Sequence, residues 1–160
     1  MANYSLQSVD ILSNDFKERD FDIIYAQGVI HHFNPISVIL PVLQDILKED
    51  GKIITFDPLQ TQFLTRTVRM IYHPFRIDKD WEWPFKKQTF SEIRRYFNIA
   101  QIQGVMGLAK WAIPVVFINK PKAIDLAIKL HRKDLGEARA ENAALWGCMQ
   151  VAMCWEKKKP

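Results

Sequence analysis

Two histidines stand side by side at His31-His32, just after the turn-like Gln27-Gly28-Val29. Imidazole titrates near neutrality, so His32 is a candidate general base for a reacting hydroxyl. The alternative for His32 is a packed, hydrogen-bonded residue at the entry of a helix. His31 is the lesser candidate. His73 and His131 have no ligand-like spacing with the pair, so no metal site is expected. Asp57, followed by Pro58, could meet a substrate, or it could cap a following helix. Cys148 and Cys154 are expected in one strand, where about 3.3 Å per residue sets them roughly 20 Å apart. That is beyond disulfide reach. Two free thiols suit a reducing, cytoplasmic location.

These groups need elements to hold them. In Phe21-Asp-Ile-Ile-Tyr-Ala-Gln-Gly an apolar run, Ile23 to Ala26, ends at a turn, which reads as a strand buried on both faces. A second strand is expected in Gly51-Lys-Ile-Ile-Thr-Phe-Asp57. Between them Ile36, Ile39, Leu40, Leu43, Ile46 and Leu47 keep one helical face from about Ile36 to Lys48. Asn34-Pro35 marks the helix start, Pro41 is expected to cost it a hydrogen bond, and Asp50-Gly51 is its expected stop, with Gly51 at positive φ. Strand, helix, strand at this spacing is a parallel crossover. Open parallel sheets bind ligands at the carboxyl ends of their strands. Gln27–His32 and Asp57–Gln60 both fall at that edge.

Elsewhere, Leu6 to Leu12 reads as a short strand, ending in a turn where Asp15 could make an Asx turn. Residues 59–97 form a connection with helical spacing over Phe63–Tyr72, then an aromatic loop with Phe75, Trp81, Trp83 and Phe85. Thr89 and Glu92 read as a capping box opening a helix with Phe90, Ile93, Tyr96 and Phe97 inward. Ile99–Met106 is a strand candidate. Pro121 starts a basic amphipathic helix to about Asp134, with Ile124, Ala127, Ile128 and Leu135 inward. Leu145–Glu156 is the last strand. One domain is expected over 1–157, with a basic tail at 157–160.

The run Phe-Asp-Ile-Ile-Tyr-Ala-Gln-Gly-Val-Ile-His-His-Phe resembles the fourth-strand motif of class I S-adenosylmethionine-dependent methyltransferases. Leu47-Lys-Glu-Asp-Gly-Lys-Ile-Ile54 resembles the turn and fifth strand of that family, and Thr-Phe-Ser-Glu-Ile-Arg-Arg-Tyr-Phe97 its usual helix start. The resemblance implies an α/β, Rossmann-like, mostly parallel sheet with an antiparallel last strand beside the sixth. It implies S-adenosylmethionine as cofactor and a small, apolar methyl acceptor. By the same resemblance Asp15 and Phe16, ending the third strand, would recognise the adenine. Gln27, Gly28 and Val29 would face the sulfonium and its methyl group, and His32 would orient the cofactor or act as base. Asp57, Trp81 and Trp83 would meet the acceptor.

One half of the expected site is missing. The family holds its cofactor with a glycine-rich turn after the first strand, where glycine lets the backbone approach the ligand. The six glycines are Gly28, Gly51, Gly104, Gly107, Gly136 and Gly147, and no Gly-x-Gly occurs. The domain therefore reads as N-terminally truncated, or as a catalytically inactive binding or assembly module. A sheet lacking two strands would expose an edge open to homodimerisation.

The 160 residues carry a net charge of +4, 48% apolar residues and 25% charged ones, ordinary for one globular domain. No basic stripe with interleaved aromatics stands out, so no nucleic-acid partner is expected. Met1–Asp10 has neither the basic start nor the apolar core of a signal peptide. The apolar run Trp111–Ile118, with the aromatic loop and Lys79, Lys86, Lys87 and Lys110, suits either an acceptor pocket or peripheral contact with a membrane surface.

Overall fold

The computed structural model describes residues 4–60 and 82–158. Four strands among them form one sheet in the order β1-β2-β4-β3. These are β1 (Phe21–Gln27), β2 (Leu47–Pro58), β3 (Phe97–Val105) and β4 (Gln150–Lys157). β1 and β2 pair in parallel, while β4 pairs antiparallel with both β2 and β3. β1, β2 and β3 therefore run in one direction and share a carboxyl edge. This is the expected α/β sheet with an antiparallel last strand. Lys157 closes β4 instead of opening a tail, and its ammonium lies 3.1 Å from Glu49.

Two helices cover one face. α1 (Leu40–Ile46) buries Leu40, Leu43 and Ile46, and α2 (Lys87–Tyr96) buries Phe90 and Ile93. They pack on Ile53 of β2, on Val151, Met153 and Trp155 of β4, and on Phe97. The alternation along β4 turns those three side chains inward together.

Several boundaries differ from the sequence reading for definite reasons. A 3-10 turn, Ile36–Val38, precedes α1, so Pro41 falls in the first helical turn. No internal hydrogen bond is lost there. Gly51 lies inside β2 and does not stop a helix. A Cβ on it would stand 2.8 Å from Leu47 Cγ and from the Phe21 carbonyl oxygen, so close approach is what demands glycine here. Thr89 does not open α2. It reaches back, its Oγ1 accepting from the Lys86 N–H at 3.1 Å. Cys148 falls between a short helix, Ala143–Trp146, and β4, and both cysteines are free.

The strand expected over Leu6–Leu12 does not form. A strand needs a hydrogen-bonding neighbour, and among the described residues none lies beside this segment. Asp10 ties it into turns, its Oδ1 accepting from the Leu12 N–H and its carbonyl from the Ser13 N–H, both at 2.9 Å. Nor is β1 buried on both faces. Ile23 and Tyr25 are 61% and 63% exposed, because α1 and α2 both lie on the opposite side. The Phe63–Tyr72 stretch, Phe75 and Trp81 lie outside the described residues.

Between β3 and β4 come α3 (Ile113–Val116), α4 (Lys120–Glu137) and α5 (Ala143–Trp146). Asn119 caps α4, its Oδ1 accepting from the Lys122 N–H at 3.0 Å. The inward face of α4 is not the expected one. It buries Ala123 and Asp134, leaving Ile124 and Ile128 about half exposed. The Asp134 carboxylate fixes that choice. It accepts from the N–H groups of Gly107, Leu108 and Ala109 at 3.0, 2.7 and 3.1 Å, which locks the chain leaving β3 against the helix. Beside it the Lys110 amine donates to the Gly147 carbonyl at 2.6 Å. Burial pushes the Cys148 thiol up to about 11, with Asp134 adding and Lys110 opposing.

Asp134→Ala leaves those N–H groups without their acceptor and is expected to cost about 2–4 kcal/mol. Urea unfolding measures this, with exposed Asp125→Ala as the control that stays within about 0.5 kcal/mol.

Candidate active site

β1 ends at Gly28, whose φ of +64° is one that L side chains rarely adopt. Its N–H donates to the Phe56 carbonyl at 2.8 Å, holding the turn against β2. The chain then makes a 3-10 turn, Ile30–His32, that swings His31 back over the end of β2. Along β2, Ile53, Thr55 and Asp57 alternate inward, so the Asp57 carboxylate is buried at the same edge.

His31 and Asp57 meet there. Asp57 Oδ1 lies 2.9 Å from His31 Nδ1 and accepts from the His31 backbone N–H at 3.2 Å. The side chains are 6% and 0% exposed. In a neutral imidazole this contact places the proton on Nδ1, facing the carboxylate, and leaves Nε2 as the acceptor. That is the arrangement of a base with its orienting acid. Asp57 Oδ2 is buried and has no hydrogen-bond partner among the described residues. The His32 ring lies tilted by 36° against that of His31, with centroids 4.2 Å apart. The carboxylate thus belongs to His31, not to His32, the residue the sequence put forward.

The remaining candidates separate into two groups. Trp83 joins the site, its backbone N–H donating to the His31 carbonyl at 2.9 Å. With His31, Phe33, Asn34 and Pro84 it lines a cavity of about 160 Å³. Gln27 and Val29 flank Gly28 at the surface, Gln27 Oε1 accepting from the Tyr25 hydroxyl at 2.9 Å. Asp15 and Phe16 lie elsewhere. Asp15 sits in an exposed turn, and Phe16 stacks on Phe21 at the amino end of β1 with centroids 6.3 Å apart. The length of β1, about 20 Å at 3.3 Å per residue, separates them from Gly28. Trp81 lies outside the described residues.

The sequence matches no protein-family model and no curated protein. Solved structures share the fold. The N-methyltransferase NodS from Bradyrhizobium japonicum, solved with S-adenosyl-L-homocysteine, aligns with a TM-score of 0.50 at 8% identity, over 94% of this chain and 53% of its own. A SAM-dependent methyltransferase from Thermotoga maritima, TM1293, gives 0.58 at 14% identity, over 94% and 62%. The [4+2]-cyclase SpnF gives 0.55 at 13%, over 96% and 56%. This chain thus spans between half and two-thirds of each of these three structures. At such identities the likeness establishes the fold, which is the Rossmann-like fold of class I S-adenosylmethionine-dependent methyltransferases.

Proposed function

We propose that this chain carries the acceptor-side half of an S-adenosylmethionine-dependent methyltransferase, with His31 as base and Asp57 as the group that orients it. The observation that carries the reading is the buried His31–Asp57 contact of 2.9 Å at the carboxyl edge of this fold. The fit to the cofactor is one-sided. Gly28 and Val29 offer backbone at the edge where the cofactor's reacting end would lie, and Gly28 has no Cβ to hinder close approach. No Gly-x-Gly is present to clasp the other end. When bound, the cofactor would supply an electrophilic methyl group.

The chain's own residues would do the rest. His31 Nε2 takes the proton from an acceptor hydroxyl or amine as that atom attacks. Asp57 holds the Nδ1 proton and stabilises the imidazolium that results. The cavity walls, Trp83 among them, hold a small, largely apolar acceptor in line, and alignment supplies most of the acceleration.

Calorimetry with S-adenosylmethionine and S-adenosylhomocysteine tests the reading. With one wall present, binding is expected with Kd between about 100 μM and 1 mM, or about −5.5 to −4.1 kcal/mol, and weakened by Gly28→Val. No heat of binding from either compound at millimolar concentration would overturn it. The missing glycine turn favours one other reading, a catalytically inactive methyltransferase-like binding or assembly module. That reading predicts no cofactor binding at all.

A further inference from the structure

The segment between β3 and β4 leaves apolar side chains standing in solvent. Phe117 and Ile118, just beyond α3, are 89% and 87% exposed, and Trp111, Ile113 and Val116 before them are about half exposed. α4 continues the surface. Ile124 and Ile128, four residues apart, lie on one outward stripe, and each is about half exposed. Phe117 and Ile118 are the most exposed apolar side chains of this surface.

Its surroundings are basic. α4 carries Lys120, Lys122, Lys129, Arg132 and Lys133, all exposed, against Asp125 and Glu137 outside the buried Asp134. Lys133 pairs with Glu137 at 3.8 Å. Among the described residues Lys120, Lys122, Lys129 and Arg132 have no ion-pair partner. An apolar stripe rimmed by cations is the pattern of helices that lie in the interface of an anionic bilayer. Tryptophan favours the same depth. Among the described residues no helix is long and apolar enough to cross a membrane.

We infer that the outward face of residues 111–132 docks this protein on an anionic lipid surface, with Phe117 and Ile118 inserted and the α4 cations against the headgroups. An anionic bilayer offers both contacts at once, acyl chains for Phe117 and Ile118 and headgroups for the exposed α4 cations. The docking face follows β3, so it leaves the sheet at the same carboxyl edge as Gly28 and Asp57. The inference stands on exposure and charge and does not depend on methyl transfer.

Vesicle co-sedimentation of the full chain tests it, comparing pure phosphatidylcholine with phosphatidylcholine containing about one-third phosphatidylglycerol. The expected result is sedimentation with the anionic vesicles at low salt, at least tenfold weaker on neutral vesicles, and reduced by high salt. Phe117→Asp with Ile118→Asp is expected to weaken binding at least tenfold. Lys120→Glu with Lys122→Glu is expected to remove most of the salt dependence. All four side chains are exposed, so thermal unfolding of both variants should coincide with wild type. No sedimentation at low salt overturns the inference. So does equal binding to neutral and anionic vesicles, or an aspartate variant that binds as wild type. Self-association that the aspartate variant abolishes, without lipid binding, would make this face a contact between copies and end the lipid reading.

Discussion

His31→Ala is expected to lower kcat of the proposed methyl transfer by about 10²- to 10⁴-fold, the usual contribution of a positioned general base. His32→Ala changes it by less than about threefold, under 1 kcal/mol. The contrast follows from the 2.9 Å contact of Asp57 with His31 and the outward position of His32. Asp57→Asn takes away the carboxylate that fixes the Nδ1–H tautomer. It should lower kcat while leaving KM for the acceptor within a few-fold. The double variant should be little worse than the worse single one, because two groups acting as a unit are not additive. A purely structural role would instead lower the unfolding midpoint and leave kcat of the folded protein unchanged. An active His31→Ala beside an inactive His32→Ala would end the assignment.

Trp155→Ala is expected to cost about 3–5 kcal/mol, against a total of about 5–15 kcal/mol for a domain of this kind. The indole is fully buried in the middle strand of the sheet, opposite Ile53 of β2 and Ile99 of β3. Its ring centroid is 5.8 Å from that of Phe97. Truncation empties a volume bounded by two neighbouring strands and the helices above, where little can collapse inward. Trp155→Phe keeps most of the apolar contact, and it removes an indole N–H that has no hydrogen-bond partner among the described residues. Its cost should therefore be well under half that of the alanine variant. Urea unfolding with an unchanged slope measures both. Phe117→Ala, at a side chain 89% exposed, should stay within about 0.5 kcal/mol. A Trp155→Ala protein as stable as wild type would mean that this sheet is not the centre of the fold.

Much of this architecture could be read from the sequence because the signals were strong and local. The apolar runs of β1 and β2 and the stripe between them placed a crossover and its carboxyl edge. Gly28 and Asp57 were legible as strand-end residues for that reason. The choice between His31 and His32 was not. A 3-10 turn rotates each residue about 120° from the last, and nothing in the string His-His says which ring meets the acid. The one available clue was parity, since Asp57 alternates with Ile53 and Thr55 and had to point inward. On α4 the spacing of Ile124, Ala127, Ile128 and Leu135 pointed to one inward face. The fold buries Ala123 and Asp134 instead, because Asp134 satisfies three backbone N–H groups at once. Leu6–Phe16 misled for a different reason, because pattern shows that a segment could be a strand but not whether a neighbouring strand is available to pair with it.

The central position of β4 has a consequence for synthesis on the ribosome. The strand lying between β2 and β3 is the last of the four to be made. Until residues 150–157 have left the exit tunnel, β2 and β3 have no ladder between them, and the side chains of α1 and α2 have only part of a floor to rest on. The nascent chain must therefore wait with two unsatisfied strand edges facing each other. That is a window for holdase chaperones, and a hazard wherever synthesis pauses before β4. Nearly all of its cooperative order should appear in one late step, set by the arrival of eight residues.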